Sequence, residues 1–410
     1  MVRTVAEIEA EERSSGGLSY APRPKRVGIV ADYLEERWPS MDLAAELISL
    51  AIARHGEGVF HPAILRPRLP RVLRGRLSLG EHGAKNADRY LGRYFAYPRW
   101  LKPRARGFDL FHLVDQSYAH LVHTLPAGRT VVTCHDLDAF RSLIGDERDT
   151  RPFWFRHTMK RILKGFQAAA HVICDSEAIR RDILAHGLVA SQRLSVAPLP
   201  VHPDFGPHGD EHADEQAVKL LGRRDPAAAD LLHVGANVPR KNIPFLLEVF
   251  AAVRRRHPQA RLIRVGGAFT DHQRGTAERL GVRDAIVSLP HLDRPTLAAV
   301  YRRASALLLP SEREGFGWPV LEAMACGTPV VASAALPTVR EIGGEAIGYA
   351  PAGSVQGWIE AVDRLLQDRA DRREWNGRRE AALERADAFS LESYAAAILP
   401  VYRRVLGMKA

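Results

Sequence analysis

Short apolar runs alternate with amphipathic stretches from Lys25 onward, and this alternation limits the possible folds more than any other feature of the chain. In the first half, "KRVGIVA" (Lys25–Ala31), "FDLFHLVD" (Phe108–Asp115), "RTVVTCHD" (Arg129–Asp136), "HVICDS" (His171–Ser176) and "RLSVAPLP" (Arg193–Pro200) read as strands. Helical patterns fall at Asp42–Arg54, Phe153–Ala169 and Glu177–His186. In the second half the strands are "DLLHVGA" (Asp230–Ala236), "ARLIRVGG" (Ala260–Gly267), "AIVSLP" (Ala285–Pro290), "SALLLP" (Ser305–Pro310), "TPVVAS" (Thr328–Ser333) and "AIGYAP" (Ala346–Pro351). Helices at Ile243–His257, Arg294–Ala304 and Ser354–Asp368 interleave with them. Near-continuous apolar strands separated by helices of this length predict βαβ units and parallel sheets covered on both faces.

The alternation breaks at Pro198–Gln216, a stretch rich in proline, glycine, histidine and acids. A chain of 410 residues has room for two domains at roughly 100–200 residues each. The expected organisation is a loosely held arm over residues 1–24, with a short helix around Val5–Arg13, and a first domain over 25–205. A linker over 206–225, a second domain over 226–388 and a C-terminal helix over 389–410 that crosses back to the first domain complete it. Doubly wound sheets bind ligands beyond the carboxyl ends of their strands, and two such domains facing one another form a cleft suited to a small molecule.

Several function classes are disfavoured. After the first strand the chain reads "VADYLEE", without GxGxxG, and no GxxxxGK[ST] loop occurs anywhere, so a dinucleotide enzyme and a P-loop ATPase lack their phosphate cradles. The three cysteines, Cys134, Cys174 and Cys326, are far apart and beside apolar runs, as buried thiols of a reducing compartment would be. The N-terminus has no apolar h-region and no run approaches membrane-spanning length, which reads as a cytoplasmic protein, soluble or peripheral on the inner face of the plasma membrane. The net charge is +10, and Arg66–Arg106 holds twelve Lys/Arg against Glu81 and Asp88, with Tyr90, Tyr94, Phe95, Tyr97 and Trp100 among them. That segment reads either as a solvated arginine-rich face or as a docking surface for an anionic membrane or nucleic acid.

Two motifs carry chemistry. In "LLHVGANVPRKNIPFLLEVF" a strand ends at Gly235 and Arg240-Lys241-Asn242 opens a helix. Cations at a helix N-terminus are locally unfavourable, and a bound phosphate reverses that sign. In "PSEREGFGWPVLEAMACGTPVVAS" a buried strand leads into a loop, and Pro319 suits the first helical position. Gly315 and Gly317 allow close backbone approach, Glu314 lies in the loop, and Glu322 lies one turn into the helix. Taken singly, Glu322 reads as a helix-dipole partner and Glu314 as a loop acid. Taken with the glycines and Lys241, the two acceptor-only carboxylates suit hydroxyls on either side of a phosphate, which describes a nucleotide sugar.

The E-x7-E pair at Glu314 and Glu322 and the "HVGANVPRKN" region resemble retaining glycosyltransferases of family 4, which have the GT-B fold. The "RKN" form is like that of bacterial mannosyl- and rhamnosyltransferase-like members, and the resemblance extends through "VVTCHDL", "HVICDSEAIRRDIL" and "FSLESYAAAILPVYRRVL". It implies two Rossmann-like doubly wound parallel-sheet domains facing across a cleft. It also implies that Glu322 binds ribose hydroxyls, that Glu314, Gly315, Phe316 and Gly317 line the donor sugar, and that Lys241 with Arg240 holds the diphosphate in place of a metal ion. On its own His135 reads as a loop histidine capping a strand, whereas the resemblance matches it to a histidine beside the donor sugar and acceptor; Asp136 follows it in place to orient the imidazole, and His112 is a cleft or core residue.

The implied activity is hexose transfer from a nucleotide-diphosphate sugar, GDP-mannose-like or UDP-linked, to a saccharide or lipid-linked acceptor, with no cofactor. A nucleotide-sugar epimerase of the same fold and a basic surface-binding protein are the alternatives, although nucleic acid is not an expected partner. Two departures stand out: the region after the first strand has no glycine pair, and Gly235-Ala236 replaces the family's Gly-Arg.

Overall fold

A computed structural model describes residues 23–70, 80–144, 153–223 and 228–409. The expected helix at Val5–Arg13 and most of the N-terminal arm lie outside the described residues, as does part of the basic segment. The chain divides into two compact units, one comprising residues up to Pro200 plus Leu391–Ala410 and the other Val201–Ser390.

The first unit holds strands β1 (Lys25–Val30), β2 (Phe60–Leu65), β3 (Leu110–Leu113), β4 (Thr130–Cys134), β5 (His171–Cys174) and β6 (Leu194–Val196). They form one parallel sheet in the order β2-β1-β3-β4-β5-β6. Every residue of β3, β4 and β5 is buried, as expected where helices cover both faces of a parallel sheet. The β2 strand was not foreseen from the sequence. Its run is short and contains Pro62, and proline is tolerated there because β2 is an edge strand with one unpaired side.

The second unit holds β7 (Asp230–Val234), β8 (Arg261–Val265), β9 (Ile286–Leu289), β10 (Ala306–Leu309), β11 (Val330–Ser333) and β12 (Gly348–Ala350). Its parallel sheet has the order β12-β11-β10-β7-β8-β9. Each unit is therefore a doubly wound α/β layer structure whose strand order reverses once, between β1 and β3 in the first sheet and between β7 and β10 in the second. Each has its own core: Phe111, Val132, Phe140 and Phe166 are buried in the first, and Leu231, Leu246, Phe250 and Trp358 in the second.

Two sequence expectations need correction. Residues 206–225 do not read as a linker in the structure, because Glu211–Leu221 is a helix capped by Asp210. Its Ala213, Ala217 and Leu221 are buried at four-residue intervals, and it packs on the helix Arg294–Arg303. The junctions between units fall at Pro200/Val201 and Ser390/Leu391, and Val201 N donates to Phe389 O at 2.8 Å, which fastens the two crossings together within the second unit. The described part of Arg66–Arg106 is not a uniform basic face. Arg66 pairs with Asp42, and Arg89 and Arg93 both pair with the buried Glu36. Tyr97 is wholly buried, with its hydroxyl 2.7 Å from the carbonyl oxygens of Ala31 and Leu65.

The last helix, Leu391–Val405, belongs to the first unit and packs on the helix Pro39–His55. The three cysteines are buried and unbridged. Among the described residues no helix is long and apolar enough to cross a membrane.

Candidate functional site

The second unit brings the two sequence motifs together at the point where its strand order reverses. The chain leaves β7 through Gly235 and makes a single 3-10 turn, Pro239–Lys241. It then enters the helix Ile243–Arg256 from Asn242, whose φ of 51° is left-handed. The chain leaves β10 through a loop that ends at Gly317, φ 109°, and enters the helix Trp318–Ala325 with proline in its first turn. β7 and β10 are neighbours in the sheet, so both loops emerge side by side at the carboxyl edge, where doubly wound sheets place their ligands.

The loops are tied by charge and by backbone. Lys241 Nζ lies 2.6 Å from Glu314 Oε1, Arg240 donates to Glu314 Oε2 at 3.1 Å and to the Arg313 carbonyl, and Glu312 N donates to Arg240 O at 2.9 Å. The Lys241 and Glu314 side chains are only 7% and 6% exposed, whereas Arg240 is 40% exposed. Burial alone would raise the Glu314 pKa, but the charge and hydrogen bond of Lys241 outweigh it and hold the carboxyl below its usual value. Thr338 donates to the Glu314 carbonyl at 3.3 Å, which fixes the loop from the next βα connection. Two cations thus share one carboxylate at a strand-end crevice, leaving an excess of positive charge.

Glu322 sits in the first turns of its helix, and the Tyr301 hydroxyl donates to its Oε2 at 2.8 Å. Burial pushes its pKa up to about 7, against the pull of that hydroxyl and of the Lys241 charge. Both glutamates therefore feel Lys241, and they differ in protonation because only Glu314 touches it. Phe316 is turned inward onto Trp318 and Phe389, so it offers a ligand its backbone rather than its ring. Gly315 stays partly exposed, and Gly317 starts the helix.

His135, Asp136 and His112 belong to the first unit. Asp175, at the end of β5, accepts from His135 Nδ1 at 3.0 Å, and the Val114 carbonyl lies 2.8 Å from Nε2. Both neighbours are acceptors, so the ring is held with both nitrogens protonated. Burial would push the imidazole down, but the hydrogen bond and charge of Asp175 hold it at about 9. Asp136, expected to orient this ring, instead accepts from Gln116 Nε2 and from the Asp138 N–H. His112 is a core residue, fully buried, with Thr133 Oγ1 at 2.7 Å and the Tyr402 hydroxyl at 2.5 Å. Asp175 carried no signal of its own, since "HVICDS" reads as a strand end. Among the described residues no three His, Cys, Asp or Glu side chains are grouped to hold a metal ion.

Residues 42–205 match the family described as Glycosyltransferase Family 4, and residues 223–381 match the family described as Glycosyl transferases group 1. A D-inositol 3-phosphate glycosyltransferase of Segniliparus rotundus is 34% identical over 227 residues, which is 52% of this chain and 48% of that one. The chain thus spans about half the length of the curated relatives it matches. Among solved structures, the sucrose-phosphate synthase of Thermosynechococcus elongatus superposes with a TM-score of 0.71 at 20% identity, over 94% of this chain and 100% of that one. The Anabaena protein HepE, solved with UDP and glucose, gives 0.68 at 14% identity over 93% and 100%. The chain therefore has the GT-B fold and is related to the glycosyltransferases of family 4 and group 1.

Proposed function

We propose that the protein is a retaining, metal-independent hexosyltransferase. It moves a hexose from a nucleotide-diphosphate sugar to a hydroxyl of a glycan, glycolipid or polyprenyl-linked saccharide. The observation that carries this reading is the Lys241–Glu314–Arg240 cluster at the strand-order reversal of the second sheet, with Glu322 on the adjoining helix. Positive charge in excess suits a diphosphate, and the ionised Glu314 on one side and Glu322, an acceptor once ionised, on the other suit the hexose and the ribose hydroxyls.

In this reading Glu322 accepts from the ribose hydroxyls, and Glu314 with the backbone of Gly315–Gly317 lines the hexose. As the anomeric carbon–oxygen bond breaks, its electron pair goes to the diphosphate. Lys241 and Arg240, fixed before the reaction, stabilise that charge. The acceptor oxygen bonds to the anomeric carbon on the face the diphosphate leaves, and the acceptor proton passes to the departing phosphate oxygen. His135, which donates from both ring nitrogens to its two acceptors, serves as a fixed hydrogen-bonded cation and not as a base. A GDP-mannose-like donor is the first candidate, from the "RKN" motif. UDP-sugars stay in scope because the Anabaena relative in fold was solved with UDP and glucose.

One assay series tests the reading. Thermal shifts with GDP, UDP and dTDP identify the base. In the transfer assay, Lys241→Ala is expected to lose about 100-fold or more in rate with its fold intact, while wild-type transfer survives EDTA. A near-wild-type rate for Lys241→Ala overturns the phosphate assignment, and strict metal dependence overturns the metal-free chemistry. A donor-only reaction that yields an epimerised sugar points to the epimerase instead.

We also propose peripheral contact with an anionic membrane that presents the acceptor. Phe95, Arg99, Lys102 and Arg106 are exposed at helical spacing within the described part of the basic segment. Flotation with liposomes containing anionic lipid is expected to carry the protein, and loss of flotation in Phe95→Ser is the check. Flotation unchanged by that substitution removes this surface.

A further inference from the structure

Arg264 on β8 has no exposed surface, and a buried charge ordinarily has a counter-charge. Among the described residues Arg264 has no carboxylate partner. Its guanidinium donates to the carbonyls of Gly267 and Gly235, its Nε has no acceptor, and it lies over the Phe269 ring at 5.4 Å. Burial lowers its pKa, and no nearby acid opposes that shift.

The two carbonyls belong to the loops that follow β7 and β8, and those loops are in backbone contact. Gly266 has a φ of 126°, and a Cβ there would lie 2.1 Å from the Gly235 oxygen. From its other side Gly235 is covered by the Lys241 stem, whose Cε lies 3.1 Å from the position a Cβ on Gly235 would take. Both charges bear on His233 between them, whose pKa is pushed far down by burial and then by Lys241 and Arg264. No peptide here is cis, and in a trans peptide the C=O and the following N–H point opposite ways. With the Gly235 and Gly267 oxygens drawn onto the guanidinium, the N–H groups of Ala236 and Ala268 face away from it. Oriented amides above a fixed cation form an anion site.

We propose that Arg264 is a positioning residue for the pyrophosphate group of the nucleotide, a buried cation that turns these amides outward and adds its positive field to theirs, the pyrophosphate being its missing counter-charge. The proposal rests on the donor-site reading above. It also accounts for Ala236 standing where a second cation would be expected: the charge is delivered from beneath the loop rather than from its surface.

The test uses calorimetry on the full chain with the best-binding of GDP, UDP and dTDP, its matching nucleoside, and inorganic pyrophosphate. Arg264→Met is expected to weaken the nucleoside diphosphate and pyrophosphate by about tenfold or more. The nucleoside is expected to stay within about twofold of wild type, a selectivity that a general loss of structure does not give. Arg264→Lys keeps the charge but not the two-carbonyl fork, and is expected to lose less in the same ligands. It also serves as the test if the methionine variant does not fold. Equal weakening of nucleoside and diphosphate, or no change in either, overturns the proposal. A wild-type chain that binds none of the three diphosphates removes the donor-site reading itself, and this proposal with it.

Discussion

Glu322 and Glu314 lie eight positions apart and behave as opposite kinds of acid. Glu314 touches Lys241 and stays ionised, while Glu322 touches only a neutral hydroxyl and rises to about 7. A carboxyl raised above its ordinary value of 4.5 keeps its proton in the folded chain after the unfolded chain has lost it. Stability therefore falls as pH rises from 4.5 through about 7, and the loss is complete above that. Glu322→Gln is expected to remove this slope, so that its melting temperature gains on wild type across that window. Parallel melting curves from pH 4.5 to 8 sink the assignment. On the proposed ribose role the ionised form of Glu322 is the stronger acceptor, so wild-type nucleotide affinity should rise through pH 7 while the glutamine variant stays weak and flat. Glu314, Glu322 and Lys241 were legible because loop glycines and a helix start mark them in sequence. Asp175 and Arg264 were not, because each is one polar residue in or beside an apolar strand; the partner of Asp175 lies 40 residues away, and one of the two carbonyls on Arg264 lies 29 residues away.

At the scale of elements, the strands were readable because a parallel sheet covered on both faces demands unbroken apolar runs. The exceptions have physical causes. β2 needs little apolar length, being an edge strand, and the helix Glu211–Leu221 buries only three small or medium side chains, which its polar composition conceals. The helix Trp318–Ala325 is more demanding. It carries Glu322, has no side-chain cap, and begins from Gly317, whose φ is 109°, with proline in its first turn. A Cβ at Gly317 would also lie 3.1 Å from Val339 Cγ2. Gly317→Ala is expected to cost about 1–2 kcal/mol from the backbone strain. It should also weaken nucleotide binding, because the strain is relieved by moving the loop that holds Glu314. Denaturant unfolding and calorimetry measure both effects. A variant with wild-type stability and affinity shows that the turn is not what positions the loop.

At the scale of the whole molecule, the chain order and the structural division disagree, since the last helix, Leu391–Val405, belongs with the first unit. Tyr402 on that helix is wholly buried. Its hydroxyl meets His112 Nδ1 at 2.5 Å, and its ring meets Phe60 edge-on at 5.8 Å. The first unit therefore has a core completed by residues from the far end of the sequence, while Lys241, Glu314 and Glu322 all lie in Val201–Ser390. Tyr402→Phe leaves the buried His112 nitrogen without that partner, at a cost of about 1–3 kcal/mol. Tyr402→Ala adds a cavity and is expected to cost about 3–5 kcal/mol. Both losses should appear in the unfolding of the first unit, with the nucleoside diphosphate affinity of the second within about twofold of wild type. Calorimetric unfolding with and without nucleotide separates the cases: nucleotide should raise the melting of the second unit in wild type and in both variants alike. A Tyr402→Phe chain whose nucleotide affinity falls in step with its stability would show that the donor site depends on the first unit's core.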